Sequence, residues 1–111
     1  MVQSVEFEKK IADYLGLAQK AGKIAAGDRA VLQAVKKSGA FLVIIAGDIA
    51  PTVREELLQA LDGRGLPVFH WRDKASLGLM TGKSPRGALA VLDKGFAKVI
   101  EENFRQAGIG A

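Results

Sequence analysis

Phe7, Ile11, Tyr14, Leu15 and Ala18 recur at intervals of three and four residues, which predicts a helix from about Ser4 to Ala21 with Gly22 as its stop. A short extended piece, Lys23 to Ala26, comes next. After Gly27, Asp28 reads as the N-cap of a second helix running to about Ser38, with Val31, Leu32 and Val35 as its apolar stripe. Phe41 to Ala46 is continuously apolar and rich in β-branched residues, the mark of a strand buried on both faces. Asp48 to Pro51 forms a turn, and Pro51 suits the first turn of a helix reaching Leu61. Asp62-Gly63-Arg64-Gly65 breaks that helix. Val68 to Trp71 reads as a strand, and Asp73 caps a helix ending near Gly82. Lys83 to Gly87 is a loop, Ala88 to Leu92 a strand and Lys94 to Gln106 a final helix. The tail, Ala107 to Ala111, is expected to fray.

Strands thus alternate with helices, which favours a three-layer α/β/α sandwich over a bundle or a barrel. The three strand runs and the extended piece amount to about four strands. Strand order and register do not follow from the pattern. There is no repeat or linker, so residues 1–111 are expected to form one domain with its core over about 4–106.

Composition narrows the function. Apolar residues make up 49% and charged residues 25% of the 111 positions, ordinary values for a globular chain. Sixteen Lys and Arg against twelve Asp and Glu give a net charge of +4, compatible with a polyanionic partner. With no cysteine and one histidine, His70, neither a thiolate nor a histidine metal cluster is expected, and no cofactor is. The longest apolar run, Ala40 to Ala46, is far short of a membrane span. No signal peptide is visible, so a cytoplasmic protein is expected.

Catalytic patterns fail on inspection. Gly22 to Gly27 has the spacing that opens a phosphate loop, but Asp28 and Arg29 follow where the chemistry needs Lys and a hydroxyl. Gly78 to Ser84 contains Gly-Lys-Ser but has too few residues between its glycines. His70 has no serine elbow or cysteine to serve, and the acidic residues read as helix-face partners, Glu55 and Glu56 near Arg54, Glu101 and Glu102 near Lys98. No nucleophile, base and oxyanion-donor set assembles, and no enzyme is expected.

Two basic groups remain. Arg29, Gln33, Lys36 and Lys37 share one helical face, together with Lys23 nearby. Lys74, Lys83 and Arg86 form the other, with no acidic residue between Lys74 and Asp93. If the fold joins them, they make a basic rim around a helix N-terminus, whose N–H groups and dipole also attract phosphate.

The stretch from Lys23 to Pro51, followed by Leu66 to Gly82, resembles the kink-turn RNA-binding ribosomal protein superfamily, and most closely its small bacterial members of the YlxQ and YbxF type. The resemblance covers roughly Ala12 to Ile100 and rests on the glycine-led helix, on Leu42 to Pro51, and on Lys74-x-x-Leu77-Gly78. It implies an α/β/α sandwich with a mixed sheet, no enzymatic activity, and a surface for a sharply bent RNA helix bearing sheared G·A pairs. On that basis Gly27 would let the RNA backbone approach, Lys74 would contact phosphate, and Lys83 to Ala88, with Ser84, Pro85 and Arg86, would pack against an extruded nucleotide.

The chain departs from the family pattern after the glycine. Where Asn and Glu commonly meet the G·A pairs it has Arg29 and Ala30, and Gln33 replaces a lysine. Arg29 can donate a bidentate fork to guanine or phosphate, whereas Ala30 offers no acceptor. In the loop, Pro85 and Arg86 replace a more apolar stretch. The expected site is therefore Gly27, Asp28, Arg29, Gln33, Lys36, Lys37, Lys74 and Lys83 to Arg86. The expected partner is a structured, bent RNA, with the ribosome as a further candidate, and the expected state is a monomer. An RNA binder without kink-turn specificity, or a protein-interaction module on the same scaffold, is the rival reading.

Overall fold

Helices and strands alternate along the chain as the pattern predicts: α1 (Val2–Lys20), β1 (Ile24–Ala26), α2 (Asp28–Lys36), β2 (Leu42–Ile45), α3 (Pro51–Leu61), β3 (Val68–His70), α4 (Lys74–Met80), β4 (Ala88–Val91) and α5 (Lys94–Gln106). The computed structural model describes the backbone of residues 2–111 and the side chains of residues 4–111. The strands form one sheet in the order β1-β4-β2-β3. β4 runs antiparallel to both β1 and β2, while β3 lies parallel to β2, so the sheet is mixed.

The continuous apolar runs divide cleanly between two faces. Leu42 and Ile44 of β2, with Leu89 and Val91 of β4, pack under α1 and α5 against Ile11, Leu15, Ile100 and Phe104. Val43, Ile45, Ala88 and Ala90 face the other way, onto Val31, Leu32 and Val35 of α2 and Leu57 and Leu61 of α3. Period-two alternation inside an all-apolar run is what a strand covered on both faces requires. The result is the three-layer α/β/α sandwich. Under α5, Phe69 stacks on Phe104 with ring centroids 4.1 Å apart, and Trp71 meets Phe104 edge-on at 5.3 Å. Such aromatic pairs add about 0.5–1.5 kcal/mol beyond area burial.

Local chemistry sets most boundaries. Pro51 occupies the start of α3, and the Asp73 and Asp93 carboxylates accept from the Ser76 and Phe96 N–H groups to cap α4 and α5. Asp28, by contrast, is no cap: α2 begins at Asp28 itself, and Gly27, at φ 104° and ψ 159°, fills the cap position without a side chain. Its carboxylate still lies in the first turn, where it complements the helix dipole. The tail does not fray at once. The Ile109 N–H bonds the Phe104 carbonyl at 2.9 Å, and Ile109 packs against the α1–α5 core. Among the described residues no helix is long and apolar enough to cross a membrane.

Candidate nucleic-acid interface

The site grows from three glycines that let separate segments approach one another. Gly27 leaves β1 with its N–H on the Ala88 carbonyl at 2.9 Å and starts α2 by accepting from the Val31 N–H. A Cβ at Gly27 would stand 3.4 Å from Arg86 Cδ, so the arginine stem lies across the start of α2. Gly78 does the same for α4: the Lys83 N–H bonds its carbonyl at 2.8 Å, and a Cβ there would overlap the backbone of Ser84. Gly87 sits where a Cβ would come within 2.8 Å of Asp28 Oδ1 and 3.0 Å of Ile49 Cγ1. Any larger residue at Gly78 forces backbone to move, while one at Gly87 must displace the Asp28 carboxylate and the Ile49 side chain.

Hydrogen bonds then fix the junction. The Arg86 N–H bonds the Lys74 carbonyl at 3.0 Å, tying the loop of residues 83–87 to the first residue of α4. The Lys74 N–H in turn meets Asp48 Oδ1 at 2.8 Å, which brings in the turn after β2. Arg86 folds its guanidinium onto its own loop, with Nη1 2.6 Å from Ser84 Oγ and 3.0 Å from the Ser84 carbonyl. Together these segments enclose an open cavity of about 360 Å³, lined by Gly27 and Asp28 of the α2 start, Ala50, Lys74, and Pro85, Arg86 and Gly87 of the loop.

The two basic groups seen in the sequence do not join in this cavity: the start of α2 contributes only Gly27 and Asp28, and none of Lys23, Arg29, Gln33, Lys36 or Lys37 lines it. Gly27, Asp28, Lys74, Pro85 and Arg86 line the cavity; Lys83 and Ser84 stand on the same loop, exposed. Arg29 and Gln33 lie exposed along the first turns of α2, on the opposite side from buried Val31, Leu32 and Val35. Lys36 and Lys37 share that face but sit at the far end of the helix, about 12 Å along its axis from Asp28.

The ion pairs differ from those expected. Glu56 does not serve Arg54; it reaches across from α3 to Arg29, with Nη2–Oε1 at 3.2 Å and Nη1–Oε2 at 3.4 Å. Glu101 pairs with Arg105 rather than Lys98, at 3.1 Å. Sequence reasoning missed Glu56, Ala50 and Asp48 because each acts across the fold. Only Asp48, beside a glycine and just before Pro51, carried a turn signal.

What this surface offers is positive charge on a shaped rim. The first turn of α2 has no side-chain cap, and Lys74 and Arg86 line the cavity beside it together with the Asp28 carboxylate. Among the described residues no group of three His, Asp or Glu side chains could hold a metal ion. His70 lies exposed on β3, away from the cavity lining.

Comparison with known proteins agrees with this architecture. Residues 9–101 match the model of the ribosomal protein L7Ae/L30e/S12e/Gadd45 family, which is nearly the whole chain. The chain belongs to that family. Within it, the chain is 28% identical over 94 residues to the RNA-binding protein YlxQ of Enterococcus faecium, covering 85% of this chain and 90% of the relative. It is 30% identical over 83 residues to the RNA-binding protein YlxQ of Bacillus subtilis, covering 75% and 83%. A solved structure from Bacillus halodurans, titled as a protein of unknown function, superposes with a TM-score of 0.81 at 28% identity, over 86% of this chain and 97% of that one. The resemblance to the YlxQ-like branch seen in the sequence thus holds.

Proposed function

We propose that this protein binds a structured, sharply bent RNA of the kink-turn type through the cavity between the start of α2 and the loop of residues 83–87. It acts without catalysis, as a monomer in the cytoplasm, and the ribosome is the candidate source of the RNA. The observation that carries the reading is the junction itself: Gly27 and Asp28 share one cavity with Lys74 and Arg86, although they are remote in sequence. Family membership and relatives named RNA-binding protein support it.

Each residue then has a physical role. Gly27 has no side chain to hold a backbone away. Lys74, Lys83 and Arg86 meet phosphates, which fix register without reading sequence. Pro85 and Ser84 shape the loop that packs on an unstacked nucleotide. Arg29 takes the position of a base reader, and Gln33 adds a neutral hydrogen bond one turn on. Lys36 and Lys37 serve phosphates further along the bound strand.

The test compares a kink-turn RNA with a straight duplex of equal length across a salt series. The expected result is tighter binding of the bent RNA with a distinct salt slope. Equal affinity and equal slope for the two RNAs would defeat kink-turn specificity and favour a general RNA binder, as the missing Asn-Glu pair at Arg29 and Ala30 suggests. No RNA binding at low salt would defeat the whole reading in favour of a protein-interaction module.

A further inference from the structure

Arg29 is not a free cation. In the RNA-binding reading above it takes the place of a base reader, and its guanidinium is held by a carboxylate from another helix, with both outer nitrogens engaged. Both side chains are open to solvent, at 77% for Arg29 and 44% for Glu56, so the pair contributes little to holding α2 against α3. Buried Val31, Leu32 and Leu57 already do that. The pair's consequence lies in what a ligand meets. A guanidinium neutralised by an adjacent carboxylate has lost its long-range attraction for a phosphate, and Glu56 repels that phosphate as well. A neutral base is not repelled. The Nε–H edge of Arg29 carries no protein partner among the described residues, and that edge with the second Nη2–H matches the paired O6 and N7 acceptors of guanine.

We propose that Glu56 is a specificity-determining residue: it withholds Arg29 from backbone phosphates and presents the guanidinium's free edge to guanine. This rests on the RNA-binding reading above. It assigns discrimination to a residue that touches no phosphate-binding group of the cavity.

The experiment uses the full chain and its Glu56→Gln and Arg29→Ala variants, alone and combined. Each is titrated with a kink-turn RNA and a straight duplex at several salt concentrations. With Glu56→Gln the freed Arg29 takes a duplex phosphate, so duplex affinity rises about two- to fivefold. The salt slope on duplex steepens by about 0.9. Bent RNA gains less, and the preference for it shrinks. In the Arg29→Ala background, Glu56→Gln leaves the slope unchanged. Replacing the guanines of the G·A pairs by 7-deazaguanine weakens binding by the native chain but not by Arg29→Ala. An unchanged duplex slope in Glu56→Gln, or the same change with and without Arg29, overturns this inference while leaving RNA binding intact. Failure of the native chain to bind either RNA at low salt removes both readings together.

Discussion

The two ends of α2 carry similar side chains on the same face and have different surroundings. At its start, Asp28 and Arg29 meet residues from α3, α4 and the loop before β4. At its end, Lys36 and Lys37 project from the last turn, beside a hydrogen bond between Arg64 Nη1 and Ser38 Oγ. Helical phase decides which side of a helix is wet, and here it held for every residue of the stripe. It says nothing about height along the axis, and height decides which residues reach a site at one rim of a sheet. Basic residues at a helix C-terminus also have a plain electrostatic purpose, because they complement the negative end of the dipole.

Gly78 is where this contrast breaks most visibly. Gly78→Val drives a side chain into the backbone of Ser84 and lifts the recognition loop off α4. A stability loss of about 1–3 kcal/mol is expected in denaturant titration, with a larger loss of RNA affinity than any single lysine removal produces. Gly39→Ala, just beyond the other end of α2, adds a Cβ that would meet only the Ala34 carbonyl at 3.8 Å. It should move stability by less than about 0.5 kcal/mol and leave RNA binding unchanged.

Charge removal gives the next largest difference. Lys74→Ala is expected to weaken all RNAs alike and lower the salt slope by about one, as loss of one phosphate contact requires. The double variant Lys36→Ala with Lys37→Ala should weaken binding less than Lys74→Ala alone. Fluorescence anisotropy across a salt series separates them, and a larger effect at the far end would move the footprint along α2.

The smallest effect concerns acid stability on the rim. The Asp73 carboxyl is held below its ordinary value, chiefly by the hydrogen bond from the Ser76 backbone N–H. A lowered folded-state pKa means that stabilisation is present above the unfolded value and is lost as pH falls through the folded one. Asp73→Asn should therefore lose less stability than the native chain as pH falls from the ordinary carboxylate value of 3.8 downward, read as the shift in thermal midpoint.

Much of this was legible in the sequence for physical reasons. Alternating elements, the twice-covered strands and the Asp73 cap follow from short-range rules. The Asp28 cap did not, because a glycine at positive φ shifted the helix start by one residue, and a backbone dihedral leaves no separate mark when glycine and aspartate are both good cap residues. The tail's docking through Ile109 depended on an apolar surface made by α1 and α5 together. The Arg29–Glu56 pair joins residues on different helices, and local charge pairing pointed to Arg54 instead. Of the candidate site, the loop and helix start were visible as motifs, while the cavity that joins them needed the fold.

The outer strands of the sheet have a further consequence. β1 and β3 stand at its two edges and are three residues long, while the four-residue β2 and β4 lie buried between them. So short an edge exposes too few unpaired N–H and C=O groups to fix the register of a strand from another chain. Two copies of the chain brought close together therefore gain little by pairing edge to edge, and growth into an extended sheet is disfavoured.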